Sequence, residues 1–405
     1  RCSYFLTNTG LGKVGKDVGI AKGEDFDYNL VRHHHTMFSD EEELYVDNDV
    51  KIITELIRQR LEREKSDDGR VVQRYSALMS SIPMTKTGYT RRTVRKACAR
   101  DVDYMRDVKR LRMTVDDYLA ARQAFGGGFT HANAVYTDRT VEGVVGYDIA
   151  SSYPASILQG VYPMESFQKL ETPSYKAFSE MLGSYCMIVD ITLQGVVSKT
   201  AMPPISSSKL IESSELVADN GRVWSADQIR VVMTDVDWRI VKRAYSIDAV
   251  AVNEVRYATA EHLPNTFTGQ VLDFYEKKTT LKGVKGSELD YALAKEDNNA
   301  IYGMIASDPV KTQFNTNPDG SLTSVPVPLH ESVETENKRR NRFMFYPWAA
   351  WVTAWSRYIL LMAVMDLENA GHTVLSCDTD SIYAIDEPGV RDVIDHSNEL
   401  VQKRM

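Results

Sequence analysis

Apolar positions along this chain keep two different spacings, and the switches between them mark out its elements. At Ser39 the run SDEE sets a capping serine three residues before Glu42, and Ile53, Ile57 and Leu61 then hold a helical stripe. That predicts a helix from about 40 to 64, with Tyr45 and Asp49 on one face, followed by charged, loop-like sequence over 65–75. Residues 82–100 predict a turn at Thr87-Gly88 leading into a basic helix. Val144–Ile149 predicts a buried strand with Asp148 at its end, and Tyr153-Pro154 opens a new element. Residues 163 to about 262 carry short strand-like runs such as CMIVDITL and RVVMTDVDW. From Phe267 the pattern turns helical, and Tyr291–Gly303 reads as a helix. Residues 307–346 predict turns, with Pro318-Asp319-Gly320 as a hairpin signal. A long helix over 349–369 places Trp351, Trp355, Ile359 and Met362 on one face and stops before Gly371. The stretch Thr373–Ile385, TVLSCDTDSIYAI, then predicts strand, tight turn and strand, with Asp378-Thr379-Asp380 at the apex.

Strand alternation points Asp378 and Asp380 the same way. Two carboxylates held that close repel unless a cation lies between them, and hard oxygen donors suit Mg²⁺ or Mn²⁺. Taken alone, the stretch is equally a polar turn. On the helix 291–303, Lys295, Asn299 and Tyr302 fall in one narrow sector, offering a cation, an amide and a flat ring. A phosphate and a base could use these, and a solvated lysine beside an interfacial tyrosine is the plainer reading. Gly126, Gly127 and Gly128 follow an amphipathic helix and permit close backbone approach. Asp148, ending one strand, and the two hairpin carboxylates together could hold two metal ions about 3.5–4 Å apart.

Composition narrows the context. At 405 residues the chain has room for two or three domains, and 43% hydrophobic with 26% charged residues is ordinary for a globular protein. No apolar run approaches the length of a membrane span, and there is no signal peptide. Cys2, Cys98, Cys186 and Cys377 lack paired spacing, so no disulfide framework or zinc site is indicated and a reducing cytoplasm fits. The adjacent histidines His33, His34 and His35 read as a loop. The net charge is −8, yet bases gather over 86–112, at Lys277, Lys278, Lys282 and Lys285, and over 338–342. Local basic patches, not the total, decide whether phosphates bind. The chain begins at Arg1 and stops in the helix-like run VRDVIDHSNELVQKRM, which reads as a piece of a longer protein.

Three of these stretches together resemble a known family. DIASSYP (Asp148–Pro154), KEDNNAIYG (Lys295–Gly303) and CDTDS (Cys377–Ser381) are similar, in order and separation, to motifs A, B and C of family B DNA polymerases. FGGGFTHAN (Phe125–Asn133) resembles the template-binding glycine stretch of the protein-primed phage group. YVDND (Tyr45–Asp49) resembles the third motif of their 3′–5′ exonuclease, and WVTAWSRY (Trp351–Tyr358) the helix before motif C.

The resemblance implies a multidomain α+β right-hand polymerase fold with an antiparallel-sheet palm and helical fingers. Residues 1–75 would be the C-terminal remnant of an RNase H-like exonuclease domain. The palm would occupy 76–162 and 347–405, the fingers 263–306, and two insertions 163–262 and 307–346. It implies a DNA-directed DNA polymerase using two Mg²⁺ or Mn²⁺ ions. Asp148 and Asp380 would hold both ions, with Asp378 beside them and the Ile149 carbonyl as a further ligand. Tyr153 would be the steric gate under the sugar, with Ser151 beside it. Lys295 and Lys278 would meet the triphosphate, and Asn299 and Tyr302 would line the base-pair pocket. Phe125, Gly127, Gly128 and Thr379 would contact template or primer DNA. The implied partners are primer-template DNA, deoxynucleoside triphosphates and a terminal protein as candidate primer, for a cytoplasmic monomer that touches no membrane. Tyr45 and Asp49 would serve proofreading only where further exonuclease carboxylates precede them. The sequence departs from the family's pattern at Ala150, Ser152, Glu296, Asp297 and Phe125. A metal-dependent DxD glycosyltransferase and a catalytically weak DNA-binding replication fragment are the rival readings, and the former leaves the motif B and glycine stretches unexplained.

Overall fold

In a computed structural model of the chain, the described residues are 7, 9–23, 26–33, 35–68, 83, 85–149, 151–285, 287–325 and 327–404. They form two compact units, one of Arg1–Lys96 with Asp273–Ile301 and one of Ala97–Leu272 with Tyr302–Met405.

In the first unit the helix Asp40–Asp68 begins with the reciprocal cap that SDEE predicts. The Ser39 N–H donates to Glu42 Oε2 at 3.0 Å, and the Glu42 N–H to Ser39 Oγ at 3.2 Å. The helix runs past residue 64, so 65–68 are helical rather than loop, and 69–75 lie outside the described residues. Its Glu, Arg and Lys residues are good helix formers and favour the helix alongside its apolar face. Ile52 and Leu56 pack on Val14 of a helix, Leu11–Val18, which the apolar spacing did not announce. The basic helix Lys86–Arg100 starts earlier than predicted, with Thr87 and Gly88 inside its first turn. The cause is Thr85, whose carbonyl and hydroxyl both accept from the Gly88 N–H.

The second unit holds two antiparallel sheets and one long helix. The smaller sheet has the order Thr130–Ala132, Val374–Asp378, Ser381–Ile385, Val144–Asp148. Val144–Asp148 is therefore an edge strand, and not buried as its composition suggested: Val144 is 44% exposed, and only Val145 and Tyr147 pack on the core. The larger sheet rests on Tyr185–Ser198 paired on either side with Arg222–Thr234 and Ala249–Glu261. These strands have 14, 13 and 13 residues and are not short. The run RVVMTDVDW is split at Thr234, whose hydroxyl accepts the Asp237 N–H and starts the helix Asp235–Ala244. The predicted hairpin forms from Gln313–Thr316 and Leu322–Val325, and a helix, Leu329–Lys338, follows it inside the region read as turns.

The helix Trp348–Asn369 was expected to bury one face. Trp348, Trp351, Val352, Leu360, Leu361, Val364 and Leu367 are all within 1% of fully buried, so it is enclosed on several sides. It packs against Asp235–Ala244, Ser152–Gln159 and Val390–Arg404. It ends at Ala370, and Gly371 takes the left-handed conformation (φ 87°) that terminates a helix cheaply. Cys98, Cys186 and Cys377 are buried free thiols. Among the described residues no helix is long and apolar enough to cross a membrane.

Asp235 lies wholly inside this packing. Its Oδ1 accepts from Trp351 Nε1 at 2.9 Å and the Met187 N–H at 3.1 Å, yet burial still pushes its pKa up from 3.8 to about 6. A carboxyl raised in the folded state favours folding below the unfolded value, and that contribution is lost as pH rises through the folded one. Thermal unfolding of the wild type should therefore drop in Tm between pH 4 and 7, whereas Asp235→Asn, which keeps the acceptor, should show a smaller drop and a higher Tm at pH 7.5. Parallel Tm–pH curves for the two would contradict this.

Candidate active site

Strand register assembles the acidic residues. Thr130 pairs with Asp378, Asp378 with Ser381, and Ser381 with Asp148. Residues directly opposite in antiparallel ladders share a face, so these four stand abreast at one end of the small sheet. Two ladder steps separate the Cα atoms of Asp378 and Asp148 by about 10 Å. Between them, Ser381 Oγ donates to Asp148 Oδ1 at 2.6 Å. Both carboxylate residues are exposed.

Alternation does not align Asp380 with Asp378, because the strand ends at Asp378 and Thr379 turns into the left-handed region (φ 58°). Asp148, not Asp380, shares the row of Asp378. Asp380 sits in the turn, its N–H on the Asp378 carbonyl at 2.6 Å and its carbonyl accepting the Ile149 N–H at 2.7 Å. Positive φ is strained for a β-branched residue. The Thr379 N–H is held on the Phe129 carbonyl at 2.8 Å, which ties the turn to the glycine loop.

That loop follows the helix Val115–Ala124, closed by a Thr114–Asp117 capping box, and begins at the half-buried Phe125. Gly128 faces the turn: a Cβ there would lie 2.8 Å from the Thr379 side chain and 3.1 Å from the Tyr153 hydroxyl. On its other side the loop is clamped by Arg357. Nη1 donates to the carbonyls of Gly126 at 2.6 Å and Gly127 at 2.7 Å, while Nε and Nη2 grip Asp237 at 2.8–3.0 Å. Arg357 is 8% exposed and comes from the long central helix.

Tyr153 stands on the helix Ser152–Gln159, entered through Ser151 in a left-handed conformation (φ 53°). Ser152 Oγ bonds Ser356 Oγ at 2.7 Å, fixing this helix to the central one. The Tyr153 ring stacks on Tyr302 with centroids 4.3 Å apart and planes within 12°. Burial raises the pKa of both phenols; near Tyr153 the Arg357 charge opposes the shift and the Asp380 charge adds to it. Both rings therefore stay neutral.

The second unit thus brings together Asp148, Asp378, Asp380, Ile149, Ser151, Tyr153, Phe125, Gly127, Gly128, Thr379 and Tyr302. Lys278, Lys295 and Asn299 belong to the first unit. There Lys295 and Asn299 are exposed, four residues apart on one face of the helix Glu288–Ile305. Lys278 lies over the Tyr275 ring at 5.6 Å. Asp297, which breaks the family pattern, accepts the Thr90 hydroxyl at 2.7 Å and so serves packing within that unit. Tyr45 is buried under Phe26, with ring centroids 4.8 Å apart, and is hydrogen-bonded to Tyr28, while Asp49 Oδ1 is buried with no hydrogen-bond partner among the described residues. Ala150 and His34 lie outside the described residues. Among the described residues, no three His, Cys, Asp or Glu side chains are gathered so as to hold a metal ion as they stand.

Sequence reasoning missed Arg357, Asp237 and Ser381. For Arg357 the signal was present: it is the one cation in the run WAAWVTAWSRYILLMAVM. Asp237 carries no local signal, since topology alone brings it in; Ser381 lies inside the stretch CDTDS, and only its bond to Asp148 is set by register.

Residues 20–325 match the family described as DNA polymerase type B, organellar and viral. The DNA polymerase of Bacillus phage phi29 is 23% identical over 386 residues, covering 92% of this chain and 57% of that protein. The DNA polymerase of Bacillus phage Nf is 22% identical over 393 residues, covering 92% and 58%. The chain thus spans a little over half the length of these relatives. In fold it is similar to phi29 DNA polymerase complexed with primer-template DNA (TM-score 0.67, 20% identity, 97% of this chain and 61% of that one). It is likewise similar to the ternary complex with primer-template DNA and incoming nucleotides (TM-score 0.68, 20% identity, 96% and 61%).

Removing the clamp should be costly. Arg357→Ala leaves the half-buried Asp237 carboxylate with the Thr234 hydroxyl but no counter-charge, and breaking a buried pair in this way runs to about 3–5 kcal/mol. Urea denaturation should show a loss of that order; a loss below about 1 kcal/mol would mean that the ion pair contributes little.

Proposed function

The chain belongs to the organellar and viral type B DNA polymerases, and from that membership we propose that it performs templated nucleotidyl transfer, adding deoxynucleotides to a primer 3′ end. The observation that carries the proposal is the row Asp148–Ser381–Asp378 at the end of the small sheet, bordered by the Gly128–Thr379 contact and the Tyr153–Tyr302 stack. In the reaction the primer 3′-oxygen forms a bond to the α-phosphorus while the bond to the leaving pyrophosphate breaks.

The donors fit a divalent cation in kind: three carboxylates and the Ile149 carbonyl are hard oxygens, two of the carboxylates on exposed residues. Asp148, Asp378 and Asp380 would hold Mg²⁺ or Mn²⁺, with Asp148 and Asp380 shared between two ions. Bound there, the ions supply the charge that favours a nucleophilic hydroxyl and a leaving pyrophosphate. Ser381 orients the Asp148 carboxylate through its 2.6 Å bond. Tyr153, neutral and stacked, forms the floor under the sugar and rejects a 2′-hydroxyl by contact, with Ser151 beside it. Lys295 and Lys278 neutralise the triphosphate, Asn299 and Tyr302 border the base pair, and Gly127 and Gly128, with Phe125 and Thr379, let DNA come close. Most of the rate gain under this reading is positional and electrostatic.

The same proposal divides the chain into an exonuclease remnant (1–75) carrying Tyr45 and Asp49, palm segments (76–162 and 347–405), fingers (263–306) and two insertions (163–262 and 307–346). The insertions would grip a terminal protein and encircle DNA, as protein-primed replication requires.

Asp148→Ala and Asp380→Ala, made in the protein that carries this chain, should each lower Mg²⁺-dependent primer extension by about a thousandfold or more. Extension near the wild-type rate in either would overturn the assignment. Tyr153→Val should raise incorporation of ribonucleotides relative to deoxynucleotides, and unchanged selectivity would remove Tyr153 from the gate.

A further inference from the structure

Behind the glycine loop, on the side away from the acidic turn, lies a cavity of about 290 Å³ whose walls include Gly126–Gly128, Gln123, Lys209, Arg222, Asp237 and Arg357. Three cations and one carboxylate make it strongly positive. Asp237 is taken up by Arg357. Arg222 spends its guanidinium on backbone carbonyls, Nη1 on Pro204 at 3.1 Å and Nη2 on Thr130 at 3.2 Å, and lies over the Phe129 ring at 4.5 Å. Its charge is therefore fixed in place, and no carboxylate among the described residues forms an ion pair with it. Lys209 is held by its backbone, where its carbonyl accepts from Gln123 Nε2 at 3.2 Å. Its ammonium feels burial and then the positive charges of Arg357 and Arg122, all of which lower its pKa. Burial and Arg357 lower that of Arg222 as well. Like charges crowded into a partly enclosed space are unfavourable without an anion.

We propose that this pocket holds one backbone phosphate of the nucleic-acid strand that passes over the glycine loop, paired by Lys209 with Arg222 lending fixed charge. The proposal rests on the polymerase reading and extends it: the loop that abuts the turn and Tyr153 through Gly128 is anchored from behind by a phosphate as well as by Arg357. A phosphodiester suits the site because the lining offers cationic groups to a single negative charge, and exposed Gly127 is part of that lining. Inorganic phosphate shares that chemistry and is the competing source.

The test measures binding of a fluorescent primer-template with a single-stranded template overhang, by anisotropy across a salt series, for the wild type and Lys209→Gln. Neutralising one phosphate contributes about 0.7–0.9 to the slope of log affinity against log salt. Lys209→Gln should flatten the slope by about that much and weaken binding on the order of tenfold at low salt. A single methylphosphonate in the overhang should, at one position, weaken the wild type and leave the variant unaffected. The variant should melt no lower than the wild type, because a repulsion has been removed. Equal slopes in the two proteins overturn the phosphate contact while leaving the polymerase reading standing. A lower Tm with unchanged binding makes Lys209 a structural group and overturns it too. Equal DNA slopes together with inorganic phosphate binding only to the wild type assign the pocket to a small anion instead. No binding of primer-template by the wild type overturns both the proposal and the reading it rests on.

Discussion

A buried guanidinium is expensive, and the second unit of this protein is arranged to keep one satisfied. Taking a cation out of water costs several kcal/mol, which only a close counter-charge and filled hydrogen bonds can offset. Arg357 meets that demand with both oxygens of Asp237 and the carbonyls of Gly126 and Gly127. Each partner comes from a different part of the chain. Asp237 is on the helix that Thr234 starts at the end of a long strand of the large sheet, and the glycines join a helix to the small sheet. The arginine stands on the enclosed central helix, which cannot shift without moving its neighbours. One side chain thereby fixes the separation of the two sheets' attached elements.

The acidic turn inherits that order. Gly128 can approach Thr379 because it has no Cβ, and the Phe129 carbonyl takes the Thr379 N–H. A threonine at positive φ costs about 1–3 kcal/mol and persists only where its surroundings impose it. Ser151, ahead of Tyr153, carries a similar strain. Both strained residues stand close to carboxylates proposed to bind metal, and both are braced from the central helix, one through Arg357 and the loop, the other through Ser152 and Ser356. The strain is stored where side chains must be aimed, and the stable packing lies behind it.

Much of this was legible in the sequence. The hairpin, the Ser39 cap, the long helix and the helix bearing Lys295 and Asn299 all follow from local spacing and capping residues, which act over a few positions. The residues proposed for the site could be singled out because their motifs are local as well. What escaped was set by topology. Val144–Asp148 has the composition of a buried strand, yet it lies at an edge because only Ser381–Ile385 pairs with it. Strand alternation suggested that Asp378 and Asp380 project together, but a left-handed Thr379 ends the alternation and gives the shared row to Asp148. Asp237 and the cationic pocket have no sequence signature, since sheet packing gathers them from over a hundred residues apart, and the Ser381–Asp148 bond is set by register. Arg357 could have been singled out as a charge in an apolar helix, but its partners could not.

Arg357 holds the glycine loop and, through it, the acidic turn. Hydrogen–deuterium exchange of the wild type and Arg357→Lys tests it most directly, because lysine keeps the charge and loses the fork that grips two partners at once. Exchange in the variant should be faster at residues 126–130 and at the Thr379 amide, with exchange in the large sheet unchanged. Unaltered protection at Thr379 with the loop loosened would show that the turn stands without the clamp, and would contradict the account.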